Sequence, residues 1–256
     1  MNSSTGRKKS SPSQQQANNA MFGENMTFAA KEAYKLLRTN LLFSLPEGVE
    51  GRGRIVGLTS SLRGEGKSTT TINLASTLAE QGERVLVVEG DMRLPSLHKK
   101  MKISPKPGLS NVLVTRADPM PYIQTVEVAC INDIPVTFDV LPAGDIPPNP
   151  SELIGSNRMK RRLELLASNY HFILLDLPPV TAVTDALVAT KIVDGIIMVV
   201  RNEYADSGSL KEAMRQLKLV DAKMLGFVYT CANTASSGYR RKKYKYRYYN
   251  YYENGR

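Results

Sequence analysis

The sequence predicts an α/β fold in which a mostly parallel sheet is wrapped by helices, and three observations carry that prediction. Strand-like apolar runs alternate with helical patterns along most of the chain. Several of the runs are unbroken, and a Gly-Lys-Ser turn joins the first of them to the helix that follows. Alternation of this kind builds βαβ units. Unbroken apolar strands are those covered on both faces, and ligands of such sheets gather at the carboxyl ends of the strands.

Taken in order, residues 1–27 read as a disordered leader, because the first twenty are mostly Ser, Gln, Asn and Lys with little to bury. No apolar core of a signal peptide lies between Met1 and Asn19. Over 28–45, Ala33, Leu36, Leu37, Leu41 and Leu42 recur at helical spacing, and Pro46 with the glycines at 48, 51 and 53 ends the helix. Its polar positions Glu32, Lys35 and Arg38 form either a solvated face or an interaction surface, since the helix stands outside the βαβ repeat. Strands are predicted over 54–59, 84–89, 137–141, 171–176, 194–200 and 223–230, with helices over 67–81, 157–169, 184–192 and 207–220. Residues 92–136 hold several prolines and weak periodicity and are read as short helices and loops. One domain therefore spans 28–232, followed by a tail over 233–256.

The turn after the first strand reads Ser61-Leu62-Arg63-Gly64-Glu65-Gly66-Lys67-Ser68-Thr69. A strand, a Gly-rich turn and a helix N-terminus together let backbone N–H groups hold phosphate. Lys67 is placed to reach the outer phosphates and the Ser68 hydroxyl to bind Mg²⁺, as in the P-loop. Ser61 stands where that pattern has its first glycine. The fold class is thus a P-loop NTPase, with ATP and Mg²⁺ as the expected cofactors and residues 61 and 63–69 as the nucleotide-binding segment.

Such a site also needs acids. The run Val85-Leu86-Val87-Val88 ends in Glu89-Gly90-Asp91-Met92-Arg93, which puts Glu89 and Asp91 on one side of an extended chain. The run Phe172-Ile173-Leu174-Leu175 ends in Asp176, an apolar strand capped by an acid suited to metal binding. An aspartate at a strand end can also be a turn former, but beside a phosphate loop that reading recedes. Transfer to a hydroxyl needs a proton acceptor, for which Glu89 and Asp91 are the candidates, with Arg93 steadying the phosphates or the acids.

The formal net charge of the 256 residues is +10, and it is concentrated at the ends. Residues 1–20 carry +3 and residues 233–256 carry +6, which leaves about +1 for the body. Either nucleic acid or an anionic membrane could attract such ends. Two cysteines exclude a disulfide framework and suit a reducing compartment. No apolar run approaches the ~20 residues that span a bilayer, so a cytoplasmic location is expected. The tail holds Tyr239, Tyr244, Tyr246, Tyr248, Tyr249, Tyr251 and Tyr252 among lysines and arginines. Such a segment either stacks on single-stranded nucleic acid or displays phenols for modification.

These pieces together resemble the bacterial tyrosine kinases of capsule and exopolysaccharide synthesis, in their ATP-binding half. The matching segments are Glu32-Ala33-Tyr34 with Leu37-Arg38-Thr39-Asn40, Gly64-Glu65-Gly66-Lys67-Ser68-Thr69, Gly90-Asp91-Met92-Arg93 and Gly108-Leu109-Ser110. They continue with Ala143-Gly144, Ile146-Pro147-Pro148-Asn149-Pro150-Ser151-Glu152-Leu153, Asp176 with Pro178-Pro179-Val180, Asp185-Ala186 and the terminal tyrosines.

The resemblance implies a fold like that of the MinD/ParA ATPases and autophosphorylation of the seven tail tyrosines in trans. It implies Lys67, Glu89, Asp91, Arg93 and Asp176 in catalysis, and Ser68, Asp91 and Asp176 at Mg²⁺. It also implies a homo-oligomeric ring, such as an octamer, closed through Glu32, Lys35 and Arg38. A membrane-embedded activator that recruits the chain to the inner face of the membrane, a cognate phosphatase and no nucleic acid complete the expectation. Glu89 replaces the family's first Asp and Lys35 an Arg; Arg63 stands for Pro, Leu177 for Thr and Thr230 for Asn. A MinD/ParA-type partitioning ATPase is the rival reading, but Leu62 occupies the position of that group's extra lysine. A nucleotide switch without transfer activity is the third.

Overall fold

A computed structural model describes residues 26–45, 51–131 and 133–232. Its centre is a seven-stranded sheet of order β3-β4-β2-β5-β1-β6-β7. The strands are β1 (Arg54–Ser60), β2 (Val85–Glu89), β3 (Gln124–Ile131), β4 (Ile134–Leu141), β5 (Phe172–Asp176), β6 (Gly195–Arg201) and β7 (Met224–Thr230). Neighbouring strands run parallel except β3 and β4. β2 and β5 are buried along their whole length, as their unbroken apolar sequences require. Leu58 pairs with Asp176 across β1 and β5, and Glu89 with Asp176 across β2 and β5. The strand-end acids therefore lie side by side at one edge of the sheet, where β1 enters the phosphate loop.

Helices cover both faces. On one, α1 (Phe28–Ser44), α2 (Lys67–Ala79) and α3 (Leu97–Met101) contribute Leu41, Ile72, Leu74, Leu78 and Leu97 to a core with Val56, Leu58, Val87 and Leu174. On the other, α4 (Leu109–Thr115), α5 (Pro150–Ile154), α6 (Asn157–Ala167), α7 (Asp185–Ala189) and α8 (Ser207–Leu219) pack Leu113, Ile154, Leu163, Ala186 and Leu217 over Ile55, Leu86, Ile173 and Met198. No helix among the described residues is long and apolar enough to cross a membrane.

Two parts depart from the sequence expectation. Residues 92–136 hold the short helices anticipated there, but also the eight-residue strand β3, which pairs antiparallel with β4 and draws β4 out to Ile134. β3 is an edge strand, half-exposed along its length, so it lacks the apolar run that marks the inner strands. The helix expected over 184–192 contracts to α7. The leader up to residue 25 and the tail with its seven tyrosines lie outside the described residues.

Candidate active site

The phosphate loop follows from local backbone chemistry. Gly64 and Gly66 take φ of 89° and 98°, a left-handed conformation that only glycine adopts without strain. A Cβ on Gly64 would also stand 3.0 Å from the Tyr204 hydroxyl. Gly66 is the N-cap of α2, so the amides of the first turn are left open toward a ligand. Lys67 is the first helical residue and is buried.

Glu65, placed in the nucleotide-binding segment by its position, is fully buried and braces the loop from within. Its Oε2 accepts from Ser61 Oγ at 2.9 Å and from the Leu62 amide at 2.6 Å, and its Oε1 from the Arg201 amide at 3.3 Å. That arrangement gives Ser61 a purpose that the usual glycine would not serve. Thr181 donates to the Ser61 carbonyl at 2.6 Å, Thr230 to the Glu65 carbonyl at 2.8 Å and Arg201 to the Gly64 carbonyl at 3.2 Å. Arg63 is exposed at the rim.

Three carboxylates lie at or just past the strand ends on this side of the sheet, in unlike environments. Asp176 is completely buried, and burial pushes its pKa up to about 6, opposed by Lys67 and by a hydrogen bond from Ser68. Its Oδ1 has no hydrogen-bond partner among the described residues. A buried acceptor left unsatisfied is costly, and beside a Ser hydroxyl it is the donor set expected of a Mg²⁺ position. Ser68 Oγ also lies 3.2 Å from Ser96 Oγ. No three His, Cys, Asp or Glu side chains among the described residues converge as a metal cage. Mg²⁺ needs no such cage, since it is usually held by one or two carboxylates together with phosphate oxygens and water. Asp91 is half-buried, and burial raises its pKa, with Lys67 acting the other way. Its Oδ1 accepts from the Leu94 amide at 3.1 Å.

Glu89 is oriented differently. Its Oε1 accepts from the Ser96 amide and, at 2.7 Å, from the Leu97 amide, while its Oε2 accepts from the Ala143 amide at 3.2 Å. Both oxygens are thus engaged with backbone, and burial raises the pKa against those bonds. The longer stem of Glu carries the carboxylate into the start of α3.

Arg93 turns toward Asp185 rather than the phosphate loop. Its Nε and Nη2 donate to the two Asp185 oxygens at 3.0 and 3.1 Å, Nη2 also meets Ser151 Oγ at 3.0 Å, and Ser151 Oγ donates to Asp185. Asp185 is fully buried, and 39% of the Arg93 side chain is exposed. Removing one member of a buried pair leaves an uncompensated charge, and partial exposure reduces the cost. Arg93→Ala is expected to lower stability by about 2 kcal/mol, with Arg93→Lys between it and the parent. Thermal denaturation of both variants checks this.

Sequence reasoning also missed Lys100, whose Nζ lies 3.4 Å from Thr69 Oγ1. Desolvation of its ammonium lowers the pKa, Asp176 opposes and Lys67 adds to the effect. A lysine on a five-residue helix carries no motif, so only the fold reveals it.

The family model described as an AAA domain matches residues 53–225. The tyrosine-protein kinase YwqD of Bacillus subtilis is 33% identical over 77% of the chain and 79% of its own length. The putative tyrosine-protein kinase CapB of Staphylococcus aureus is 34% identical over 77% and 82%. The solved kinase domain of the Escherichia coli tyrosine kinase ETK superposes with a TM-score of 0.71 at 29% identity, covering 86% of this chain and 83% of that one. The chain belongs to the bacterial tyrosine-protein kinases.

Within that family's fold, α1 packs against α2 and carries the three residues expected in oligomerisation. Arg38 donates to the Thr77 carbonyl at 2.6 Å, and Lys35 pairs with Glu32 of its own helix at 2.8 Å. Arg38 is thereby tied to the phosphate-loop helix. Phe43 and Phe28 stand 86% and 69% exposed on α1, an unusual display of aromatic surface for a helix that packs on the domain.

Proposed function

We propose that this chain transfers the γ-phosphoryl group of ATP to tyrosines of its own tail, in trans within a homo-oligomer. By this it controls polymerisation and export of a capsular or extracellular polysaccharide. The observation that carries the reading is the pair Asp176 and Ser68 beside Lys67, with one buried carboxylate oxygen unpartnered, in a chain whose relatives are tyrosine-protein kinases.

In this reading the amides of residues 63–69, with Lys67, hold the β- and γ-phosphates, and Ser68 and Asp176 hold Mg²⁺, with Asp91 assisting from beside them. The metal, when bound, offsets charge on the transferring phosphoryl group. Asp91, half-buried beside the metal position, accepts the tyrosine proton, whereas the oxygens of Glu89 are occupied by amides. Glu89 and Arg93 shape the site. Glu32, Lys35 and Arg38 contribute to assembly, and a membrane-embedded activator and a phosphatase complete the cycle at the inner face of the membrane.

A nucleotide switch without transfer is the second reading, favoured by the engagement of Glu89. The two separate in one experiment: phosphotyrosine mapping after incubation with Mg-ATP, with Lys67→Met alongside and the activator's cytoplasmic segment in a parallel reaction. Phosphate is expected on the tyrosines between 239 and 252, and none in Lys67→Met. An unmodified tail in both reactions, from protein that binds ATP, would leave the switch.

A further inference from the structure

The face of the sheet opposite α2 carries a second basic site. Between the end of α4 and the start of α6 lies a pocket of about 560 Å³, lined by Arg116, Ser156, Asn157, Arg158, Arg161 and Arg162. Four arginines line it, and among the described residues no carboxylate does.

Two of the four have a structural reason to be present. Arg158 donates to the Leu113 carbonyl and, at 3.5 Å, to that of Val114, and Arg162 donates to the Arg116 carbonyl at 2.5 Å. These carbonyls close the C-terminal end of α4, where a cation is favoured. The bonds hold both guanidiniums in place. Arg116 and Arg161 are exposed, and their side chains make no hydrogen bond or ion pair among the described residues. Arg116 also caps α4 at φ 62°, a position where glycine or asparagine would fit with less strain. The helix end favours a cation there, and Arg116 with Arg161 leaves two exposed guanidiniums beside the two pinned ones.

The chemistry selects the ligand class. Planar guanidiniums bind phosphate oxygens in bidentate fashion, and arginine clusters are a recurrent means of reading phosphorylated peptides. A concave pocket with two pinned arginines suits one compact dianion better than an extended lipid surface. Val114 and Leu165 are 60% and 48% exposed, Val114 two residues before Arg116 and Leu165 one helical turn beyond Arg161.

We propose that this pocket binds a phosphate monoester, and that its source is phosphotyrosine of the tail of this chain or of a second copy. The tail source rests on the reading that the tail is phosphorylated. At about 3.3 Å per residue, the segment from Ala232 to Tyr248 is long enough to cross a domain. Free phosphate would meet the same four groups, and the test distinguishes the two.

The test uses the full chain with Mg-ADP saturating the phosphate loop. Fluorescence anisotropy follows a labelled synthetic peptide of residues 244–252, phosphorylated at Tyr248 and Tyr249 or unmodified. The phosphorylated peptide is expected to bind at least tenfold more tightly than the unmodified one. Arg116→Ala with Arg161→Ala should lose at least tenfold, and Arg215→Ala on α8 should stay within twofold. Neither Arg116 nor Arg161 donates to the end of α4, so the double variant should keep its melting temperature. Equal affinity for the two peptides overturns the proposal, as does an unchanged double variant. Inorganic phosphate competing as well as the phosphopeptide overturns the tail as source. Binding of phosphatidylserine vesicles that falls in the double variant while peptide binding persists would assign the pocket to membrane instead. Because the peptide is synthetic, a failure to bind it is independent of whether the chain phosphorylates itself.

Discussion

Asp176→Asn is expected to reduce phosphotyrosine formation by at least a hundredfold while making the metal-free protein more stable. Both effects follow from the same buried carboxylate. Its Oδ1 lacks a partner among the described residues, and a neutral amide cannot supply the charge that a Mg²⁺ ion beside Ser68 would need, a contribution worth several kcal/mol in such sites. Without metal, that charge is a burden. The carboxyl titrates near 3.8 when exposed and at about 6 in the fold. Between those values the folded chain holds more protons than the unfolded chain, so stability falls as pH rises through the window. At pH 7.5 the accumulated cost is about 3 kcal/mol. In EDTA at that pH, Asp176→Asn should therefore melt several degrees above the parent. The difference should shrink by about two-thirds at pH 4.5, and Mg-ATP should restore the parent but not the variant. A gap in melting temperature that does not change with pH would mean that the desolvated carboxylate is not its cause.

What the sequence made legible and what it did not divide along the range of the interactions. The phosphate loop is contiguous, so the strand, the glycines and the Lys67-Ser68 pair carry their own signature. Asp91 and Asp176 were legible because each ends or follows an apolar run that has to be an inner strand. The orientation of Glu89 was not, since one of the three amides that hold it belongs to Ala143, fifty-four residues away. The partner of Arg93 is more distant still, ninety-two residues along the chain. Local pattern left Arg93 to the phosphates or the neighbouring acids, and only the fold brings Asp185 to it. Glu65 was legible only as part of the phosphate loop; its role as internal brace was not, since it depends on the Arg201 amide 136 residues away. Strand β3 escaped because a half-exposed edge strand shows alternation rather than an apolar run.

The same long-range contacts make Glu89 a structural residue first, and Glu89→Ala should show it. The substitution strips the partner from three amides, of which those of Leu97 and Ala143 belong to buried residues. Each unsatisfied buried donor costs about 1–3 kcal/mol, and relief of the carboxylate's own desolvation offsets part of the sum. A net loss of about 3 kcal/mol is expected, or roughly 10 °C in melting temperature for a domain of this size. Glu89→Gln separates structure from chemistry. Its amide oxygen keeps the Ser96 and Leu97 bonds, and only the Ala143 contact is lost, so it should lose much less stability than Glu89→Ala. If Glu89 only supports the start of α3, Glu89→Gln retains phosphotyrosine formation within about tenfold of the parent. If Glu89 took the tyrosine proton, the loss would be about 10²–10⁴-fold. Glu89→Asp tests the added methylene directly. The shorter side chain falls about 1.5 Å short of the α3 amides, so a protein less stable than Glu89→Gln but no less active would place the value of the longer acid in holding α3. Faster transfer by Glu89→Asp would show that the longer acid trades rate for that support.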